Sequence, residues 1–296
     1  MNGSYEELKL VSTKASEEID DEDLKQAGNY ILKTQLGDGR YAIVKECFHM
    51  NNEDKRLAIK ILNKNLINMV NPNFIKRELL AYQTIKDIEG IPKFYEYFED
   101  NLRAYFVIDY VNGYHIQREL IERQILNNGP VFTNKEKKEI IIKTIDILKK
   151  LHSQNVFHGD LKLENILYDS SSGNVFLVDF GCSYCRKDGI IYKKELSGTP
   201  GYGPPESLLK SKEPLRLENL DVWGICVVFY YIFTTKYPFG NDGVFPTFDR
   251  VQKCKYNREN VDEKILNICD RVFVKNADER VTLEGFLKLV KEFPVD

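Results

Sequence analysis

The chain has 296 residues, 43% of them hydrophobic and 29% charged, which predicts a globular protein with one large or two modest domains. Its formal net charge of −3 argues against a dedicated nucleic-acid binder, and residues 1–11 lack the basic and apolar segments of a secretory signal. The longest apolar run, Trp223 to Phe233, predicts a buried core helix and no membrane span. Six scattered cysteines favour a reducing compartment, so we expect the cytoplasm, with the nucleus left open.

Residues 1–29 are predicted to form an acidic, disordered tail. The segment is polar, and residues 17–23 carry six carboxylates. Too little apolar surface is available there to offset the entropy lost on ordering. A dedicated docking element is the less favoured alternative.

A glycine-containing turn between two strands follows the tail. Residues 30–36 have a β-like pattern, and the segment from Gly37 to Val44 leads into a second strand that ends near Phe48. The Gly-x-Gly-x-x-Ala pattern also fits the dinucleotide-binding fingerprint, which requires a helix directly after the glycines. A strand follows here, so the dinucleotide interpretation is disfavoured.

The next strand, at residues 57–62, contains a single charged residue, Lys60. An isolated lysine of this kind is most simply explained as lying on the solvated face of its strand. Asn71 and Pro72 then predict a helix start, with an asparagine cap and a proline in the first turn. That helix carries Glu78, eighteen residues after Lys60.

Beyond a strand at residues 105–111, the apolar pattern becomes helical. Thr133 and Glu136 form a capping box, which marks the start of a helix. One stripe of that helix is apolar. Its members are Ile141, Ile145, Leu148 and Leu151.

The densest group of polar residues with chemical potential follows this helix. His158, Asp160, Lys162 and Asn165 lie within eight residues, and Asp179 follows Asn165 by fourteen. The intervening strand–turn–strand pattern predicts a hairpin that returns Asp179 to the side of Asn165. One carboxylate is then available for proton chemistry, while an amide and a second carboxylate offer the oxygen ligands that Mg²⁺ prefers.

These two runs, His-Gly-Asp-x-x-x-x-Asn and Asp-Phe-Gly, resemble the catalytic elements of the eukaryotic protein kinase family. The resemblance implies an α+β, bilobal protein-kinase fold over residues 30–293. It places a mostly β N-lobe at about 30–110 and a mostly α C-lobe at about 111–293. Lys162, two residues after Asp160, is typical of the Ser/Thr branch.

Later motifs extend the resemblance. Residues 197–206 resemble the end of an activation segment, with Pro-Pro-Glu where Ala-Pro-Glu is usual. Asp221 resembles the start of the central helix of the large lobe. Arg280 matches the usual buried partner of Glu206, and a buried carboxylate must be paired or neutral. Within the family, Pro-Pro-Glu and the run from His158 to Asn165 resemble the calcium/calmodulin-kinase-like and PIM-like branches.

The resemblance implies ATP and Mg²⁺ as the ligands. Lys60 would hold the α- and β-phosphates, and Glu78 would hold Lys60. Asn165 and Asp179 would bind Mg²⁺. The other nucleotide-contacting residues that it implies are Leu36, Gly37, Asp38, Gly39, Arg40, Tyr41, Ala42, Ile43, Val44, Ala58, Ile108 as gatekeeper, Asp109, Val111 and Leu167.

The resemblance also implies roles in catalysis and substrate binding. Asp160 would accept the proton of the substrate hydroxyl, and Lys162 would neutralise charge on the transferred phosphate. Glu164 lies where some relatives meet a substrate arginine, and Thr199 agrees with the Ser/Thr branch. The implied partners are protein substrates with serine or threonine acceptors, while the oligomeric state stays open.

Three functions compete. An active Ser/Thr protein kinase is favoured because every charged group of the mechanism is present. A pseudokinase scaffold is supported only by departures from the family pattern at Ala42, Gly159 and Cys226, none of which is a catalytic charge. A small-molecule phosphotransferase on a related fold is disfavoured, since the segment around Thr199 resembles a protein-substrate platform.

Gly159 stands where the family usually has an arginine that grips a phosphate on the activation segment. Its lack of a side chain predicts activity without phosphorylation of that segment. Glu195 is explained equally well as a phosphate mimic and as a solvated charge. Basic residues near it in the sequence are Arg186, Lys187, Lys193 and Lys194.

Cys182 and Cys185 form a Cys-x-x-Cys pattern directly after Asp-Phe-Gly. Two unrelated thiols are the favoured interpretation, because zinc would need further ligands. A redox latch, in which a disulfide constrains the turn at Asp179, is the alternative.

Overall fold

The computed structural model describes residues 24–39, 41–120, 132–187, 189–191, 198–208 and 215–295. The chain divides into two compact units. The first contains residues up to Ile75 together with Lys93–Tyr110, and the second contains Lys76–Pro92 and Val111–Asp296.

The first unit is built on an antiparallel sheet of six strands in the order β1-β2-β3-β4-β6-β5. The strands are β1 (Gln26–Ala27), β2 (Tyr30–Asp38), β3 (Ala42–His49), β4 (Asn52–Asn63), β5 (Phe94–Glu99) and β6 (Arg103–Asp109). One face of the sheet buries a core that includes Cys47, Ile59, Ile61 and Val107. The strands predicted at 30–36, 43–48 and 57–62 lie in this sheet, and the strand predicted at 105–111 lies in it as far as Asp109.

The sheet begins before the predicted domain boundary. Gln26 and Ala27 pair with β2, and Leu24 packs against the core, although the predicted tail extended to residue 29. The prediction was wrong there because pairing with β2 satisfies the main chain of a segment whose own composition is polar. Residues 1–23, which include the acidic run, lie outside the described residues.

Two helices follow β4 where one was predicted. Helix α1 (Lys64–Val70) precedes helix α2 (Phe74–Thr84). Asn71 closes α1, with its N–H bonded to the carbonyl of Ile67 at 2.7 Å, and its side chain accepts the N–H of Asn73 at 3.2 Å. The predicted helix start was therefore two residues early, because Asn71 ends one helix as well as leading into the next.

The second unit is mostly helical. Its helices are α3 (Asn134–Ser153), α4 (Pro205–Leu208), α5 (Leu217–Thr234), α6 (Val244–Gln252), α7 (Glu263–Cys269) and α8 (Leu283–Glu292), and residues 116–120 are also helical. Its short strands are β7 (Tyr114–His115), β8 (Val156–Phe157), β9 (Ile166–Asp169), β10 (Asn174–Leu177), β11 (Tyr184–Cys185), β12 (Ile190–Ile191) and β13 (Leu215–Arg216). Thr133 and Glu136 form the predicted capping box at the start of α3.

Helix α5 runs through the core of the second unit. Fourteen of its residues are buried, among them Trp223 and Phe229, as predicted for the longest apolar run. Among the described residues, it is the one helix whose length and mean hydropathy of 1.2 would allow a membrane crossing. Its residues are 78% buried inside the fold, as is usual for a core helix.

The boundary between the units differs from the predicted lobes at residues 76–92. The prediction placed this segment in the first lobe, whereas the structure groups it with the second unit. Main-chain hydrogen bonds explain the difference. The N–H of Lys86 donates to Gln154 at 2.9 Å, and the carbonyl of Gly90 accepts from Leu177 at 2.8 Å.

Candidate active site

The predicted glycine-rich turn joins β2 to β3 in the first unit. Gly37 pairs with Val44 across the two strands, and Asp38 pairs with Ile43. The N–H of Gly39 donates to the carbonyl of Ala42 at 2.8 Å, which closes the turn. A strand rather than a helix follows the glycines, which excludes the dinucleotide geometry. The other residues predicted here are Leu36 in β2, Tyr41 beside β3, and Arg40, which lies outside the described residues.

Lys60 lies on β4, where it pairs with Val44 on one side and with Phe106 on the other. The side chain is 9% exposed, so the solvated-face interpretation is wrong. Its amine lies 5.3 Å from the centre of the Phe74 ring. Glu78, its predicted partner, is fully buried but belongs to the second unit, so the ion pair stays a prediction.

The end of β6 carries the predicted adenine-binding residues of the first unit. Ile108 pairs with Ala58 across the sheet and is 8% exposed. The N–H of Asp109 donates to the carbonyl of Lys93 at 2.9 Å, and the carboxylate of Asp109 accepts from Tyr95 at 2.6 Å. The first unit ends at Tyr110. Two further residues that were predicted to contact the nucleotide, Val111 and Leu167, therefore lie in the second unit.

The predicted catalytic loop, residues 158–165 of the second unit, is held by a buried carboxylate to which the sequence motifs assigned no such role. Asp221 accepts the main-chain N–H groups of His158 at 2.9 Å and Gly159 at 2.8 Å. It also bonds to the ring of His152 at 2.7 Å. Burial acts to raise the pKa of Asp221, but the bonds from His152 and the main chain outweigh it and lower the pKa. The carboxylate therefore fixes the main chain that leads into Asp160.

Asp160, Lys162 and Thr199 are joined by three polar contacts. Its carboxylate accepts from the amine of Lys162 at 2.8 Å and from the main-chain N–H of Thr199 at 2.7 Å. The same amine donates to the hydroxyl of Thr199 at 3.0 Å. Burial acts to lower the pKa of Lys162, but neighbouring carboxylates, chiefly Asp160, outweigh it and raise the pKa. The predicted base, cation and substrate-side threonine are therefore in direct contact.

The predicted metal ligands follow from the hairpin of β9 and β10. Ile166 pairs with Leu177, and the N–H of Val178 donates to the carbonyl of Asn165 at 3.0 Å. The side-chain NH₂ of Asn165 donates to the main-chain carbonyl of Asp160 at 2.8 Å, so the side-chain oxygen of Asn165 takes no part in that bond. Asp179, the residue after Val178, has a left-handed φ of 67°. An amide oxygen and a carboxylate suit Mg²⁺.

Aromatic rings pack against the Asp-Phe-Gly turn. Phe180 is fully buried, with its ring 5.3 Å from Tyr82 of α2 and 5.3 Å from His158. The hydroxyl and N–H of Ser183 both bond to the carbonyl of Phe180, at 2.7 and 3.0 Å. The turn that carries Asp179 is thus set by packing within the second unit.

Glu164 lies in a turn that contacts the strand of His115, a residue to which the motifs assigned no role. One carboxylate oxygen of Glu164 and Nδ1 of His115 are both buried with no hydrogen-bond donor among the described residues. The strand that carries His115 pairs with β9 next to the turn at Glu164. Burial lowers the pKa of His115 despite opposition from Glu164, which favours a neutral ring with a lone pair.

The predicted pair of Glu206 and Arg280 is present. The guanidinium donates twice to the carboxylate, at 2.6 and 3.1 Å, and the Arg280 side chain is fully buried. This geometry joins α4 to the segment before α8. Glu195, for which a phosphate mimic and a solvated charge were both left open, lies outside the described residues, as do Lys193 and Lys194.

A family model described as a protein kinase domain matches residues 30–290. Calcium-dependent protein kinase 31 from Arabidopsis thaliana is 26% identical over 86% of this chain and 52% of its own. Serine/threonine-protein kinase 17A from Oryctolagus cuniculus is 28% identical over 86% of this chain and 64% of its own. The probable serine/threonine-protein kinase MARK-A from Dictyostelium discoideum is 25% identical, with 88% and 24% covered. The chain thus spans between 24% and 64% of the length of these curated relatives.

Proposed function

The chain belongs to the protein kinase family, and we propose that it transfers the γ-phosphate of ATP to serine or threonine hydroxyls of proteins. The family and the α+β kinase fold predicted from the motifs are confirmed. The contact of Asp160 with Lys162 and with the N–H of Thr199 is the observation that carries the proposal. This contact supports the proposal because it joins the residues proposed as base, as cation and as part of the substrate platform.

Phosphoryl transfer is mostly positioning and neutralisation of charge. Asp160 orients the substrate hydroxyl and accepts its proton, and Asp221 holds the main chain before it. Lys162, whose raised pKa keeps it cationic near neutral pH, neutralises charge on the transferred group. The main chain of the turn at Gly39 and the amine of Lys60 are proposed to hold the phosphates.

Asn165 and Asp179 would hold Mg²⁺, because both offer oxygen ligands and lie side by side at the end of the hairpin. When bound, the ion neutralises negative charge on the phosphates. In the described part of the chain, no group of three or more histidine, cysteine, aspartate or glutamate residues is arranged so that it could hold a metal ion. Mg²⁺ is usually held by one or two protein ligands together with phosphate oxygens, which is the arrangement proposed here.

The pseudokinase alternative has weak support in the structure. Ala42 lies in regular β structure opposite Leu62, and Cys226 is a fully buried core residue. Neither departure from the family pattern removes a charged group. A small-molecule phosphotransferase is disfavoured by the Glu206–Arg280 pair, which anchors the segment after Thr199.

The test is phosphotransfer to a degenerate peptide library with Mg-ATP. Lys60→Met and Asp179→Asn should each abolish transfer and leave the thermal midpoint within a few degrees. Asp179→Asn should also lose the Mg²⁺-dependent thermal stabilisation by nucleotide, because a ligand stabilises only the state that it binds. Absence of transfer by the wild-type chain, or most of the wild-type kcat in either variant, would count against the proposal.

For the substrate, we propose a basic side chain near the acceptor, received by Glu164. A buried carboxylate oxygen without a donor is costly, and an arginine or lysine would supply one. The neutral His115 adds a second acceptor. The library should show arginine or lysine enriched at one position, and Glu164→Gln should remove that preference. An unchanged preference in the variant would contradict the role of Glu164.

A further inference from the structure

Tyr184 lies directly against the main chain that carries the catalytic aspartate. It belongs to β11, which pairs antiparallel with β8, so that Tyr184 lies opposite Phe157. The side chain is 4% exposed. Two ring carbons, Cε2 and Cδ2, lie 2.8 and 3.0 Å from the position that a Cβ atom on Gly159 would occupy. The ring thus fills the space into which a side chain at residue 159 would project.

Gly159 is constrained from two further sides. Its φ of 75° is in the left-handed region, and a Cβ atom would lie 2.6 Å from the carbonyl oxygen of Cys182. Its N–H is bonded to Asp221. The residue before Asp160 therefore contacts Asp221 on one side and residues 182–184 on the other, and only glycine fits.

The Tyr184 ring is itself held on several sides. It packs in a hydrophobic cluster with Phe157 and with residues of α5 and β13. The guanidinium of Arg77, on α2, lies 4.6 Å from its centre, within the range of a cation–π contact. The uncharged ring of Tyr184 thus links the segment after Asp-Phe-Gly, to which it belongs, with α2 and with the catalytic loop.

We propose that Tyr184 is a positioning residue, and that its packing on Gly159 fixes Asp160 without any phosphate on the activation segment. In the family pattern, an arginine at position 159 would grip such a phosphate. Here no side chain fits at that position, and a buried ring occupies the space. The inference rests on the proposed kinase function and adds how its site is regulated.

The first experiment measures kcat and KM for ATP in variants of this contact. Tyr184→Ala should lower kcat by about tenfold or more with KM for ATP within about twofold, since small displacements of a reacting group are costly in rate. Tyr184→Phe keeps the ring and should retain nearly the wild-type kcat. Cys185→Ala, in the same two-residue strand, is the matched control and should be unchanged. An unaltered kcat in Tyr184→Ala, or an equal loss in Tyr184→Phe, would overturn the proposal.

A double-mutant cycle tests the contact itself. Gly159→Ala should lower kcat, and its cost should be smaller in the Tyr184→Ala background, because one of its two clashes has been removed. Gly159→Arg should also lose activity, although it restores the usual family residue. Costs that simply multiply, or an active Gly159→Arg variant, would show that the ring does not set this position.

Phosphate independence is tested by co-expression with a broad phosphatase, with mass spectrometry to confirm an unmodified chain. The unmodified protein should retain the activity of protein expressed without the phosphatase. A loss of about a hundredfold or more would show an ordering switch and overturn the proposal.

Amide hydrogen exchange separates this inference from the proposed function. Tyr184→Ala should speed exchange in residues 156–160, which include the N–H of Gly159 bonded to Asp221, while Tyr184→Phe should not. This measurement does not require turnover. If the wild-type chain is inactive but Tyr184→Ala speeds exchange, the kinase function alone is refuted. If the wild-type chain is active but Tyr184→Ala leaves exchange unchanged, the role of Tyr184 alone is refuted.

Discussion

Gly39 in the glycine-rich turn and Gly159 in the catalytic loop serve opposite structural needs. Within the described part of the chain, the nearest contact of a Cβ atom on Gly39 outside its sequence neighbours would be the carbonyl of Ala42 at 3.5 Å, an ordinary distance. A Cβ atom on Gly159 would overlap both a carbonyl and an aromatic ring. The first glycine leaves space beside the main chain, and the second allows two parts of the protein to touch.

The loops around the two glycines differ in the same way. Side chains between Leu36 and Val44 are all partly exposed where they are described, and main-chain pairing sets the turn. In the catalytic loop, buried side chains such as Asp221 and Tyr184 set the main chain. Substitutions should therefore affect rate and stability in the catalytic loop, and mainly nucleotide binding in the turn.

Among the substitutions that compare the two loops, the largest effect is expected at the centre of the catalytic loop. Asp160→Asn removes the proton acceptor and weakens the contact with Lys162, so kcat should fall by about 10²–10⁴-fold. Asp169→Asn makes the same chemical change at the end of β9 and should leave kcat near the wild-type value. Steady-state kinetics at saturating Mg-ATP provide the measurement. A wild-type kcat in Asp160→Asn would remove the proposed base from the mechanism.

The next largest effect is on stability, at Asp221. The carboxylate of Asp221 accepts hydrogen bonds from several donors, and an asparagine would turn the NH₂ group of its amide toward some of them. This should lower the free energy of unfolding by about 3 kcal/mol. Urea unfolding gives the value. Asp54→Asn, an exposed position on β4, is the control and should change stability by less than about 0.5 kcal/mol.

The difference between wild type and Asp221→Asn should also depend on pH. The pKa of Asp221 is lowered in the folded state, so its contribution is complete above the unfolded carboxyl pKa of about 3.9. It is lost as the pH falls from there through the folded pKa. A difference that stays constant from neutral pH down into this range would mean that the carboxylate is not the stabilising group.

The contrast explains what the sequence could predict. The hairpin that joins Asn165 to Asp179 and the pair of Glu206 and Arg280 follow from local patterns and matched motifs, and the structure contains both. The contacts of Asp221 with His158 and Gly159 span more than sixty residues, and no local pattern encodes them. Tertiary contacts of this kind depend on how the folded chain brings distant residues together.

Two other differences have the same origin. The strand at Gln26–Ala27 and the role of Asn71 as the end of α1 were missed, since both depend on what the neighbouring chain offers for pairing. Gly159 was identified from the sequence as a departure from the family, but its reason lies in Tyr184. A tyrosine in a polar segment gave no sign that its ring is buried.

A smaller effect is expected in the glycine-rich turn. Gly39→Ala should leave the free energy of unfolding within about 0.5 kcal/mol of wild type, because the added methyl group has room. KM for ATP should rise a few-fold, since close approach of the main chain to phosphate favours glycine. Thermal unfolding and initial rates measure the two quantities. A stability loss as large as that of Gly159→Ala would remove the distinction between the loops.

The smallest effect is expected for oxidation of the segment after Asp-Phe-Gly. No disulfide joins Cys182 and Cys185 in the structure, and burial raises the pKa of the Cys185 thiol, although a bond with Thr84 opposes this. The thiolate is the reactive form, so this shift slows attack on an oxidant. Mild peroxide should leave kcat unchanged, and mass spectrometry should find no reversible disulfide between the two thiols. Cys185→Ser, which cannot form the disulfide, should respond to peroxide as the wild type does. A reversible disulfide that lowers kcat in the wild type but not in Cys185→Ser would instead establish the redox latch and show that the segment packed on Gly159 can be displaced.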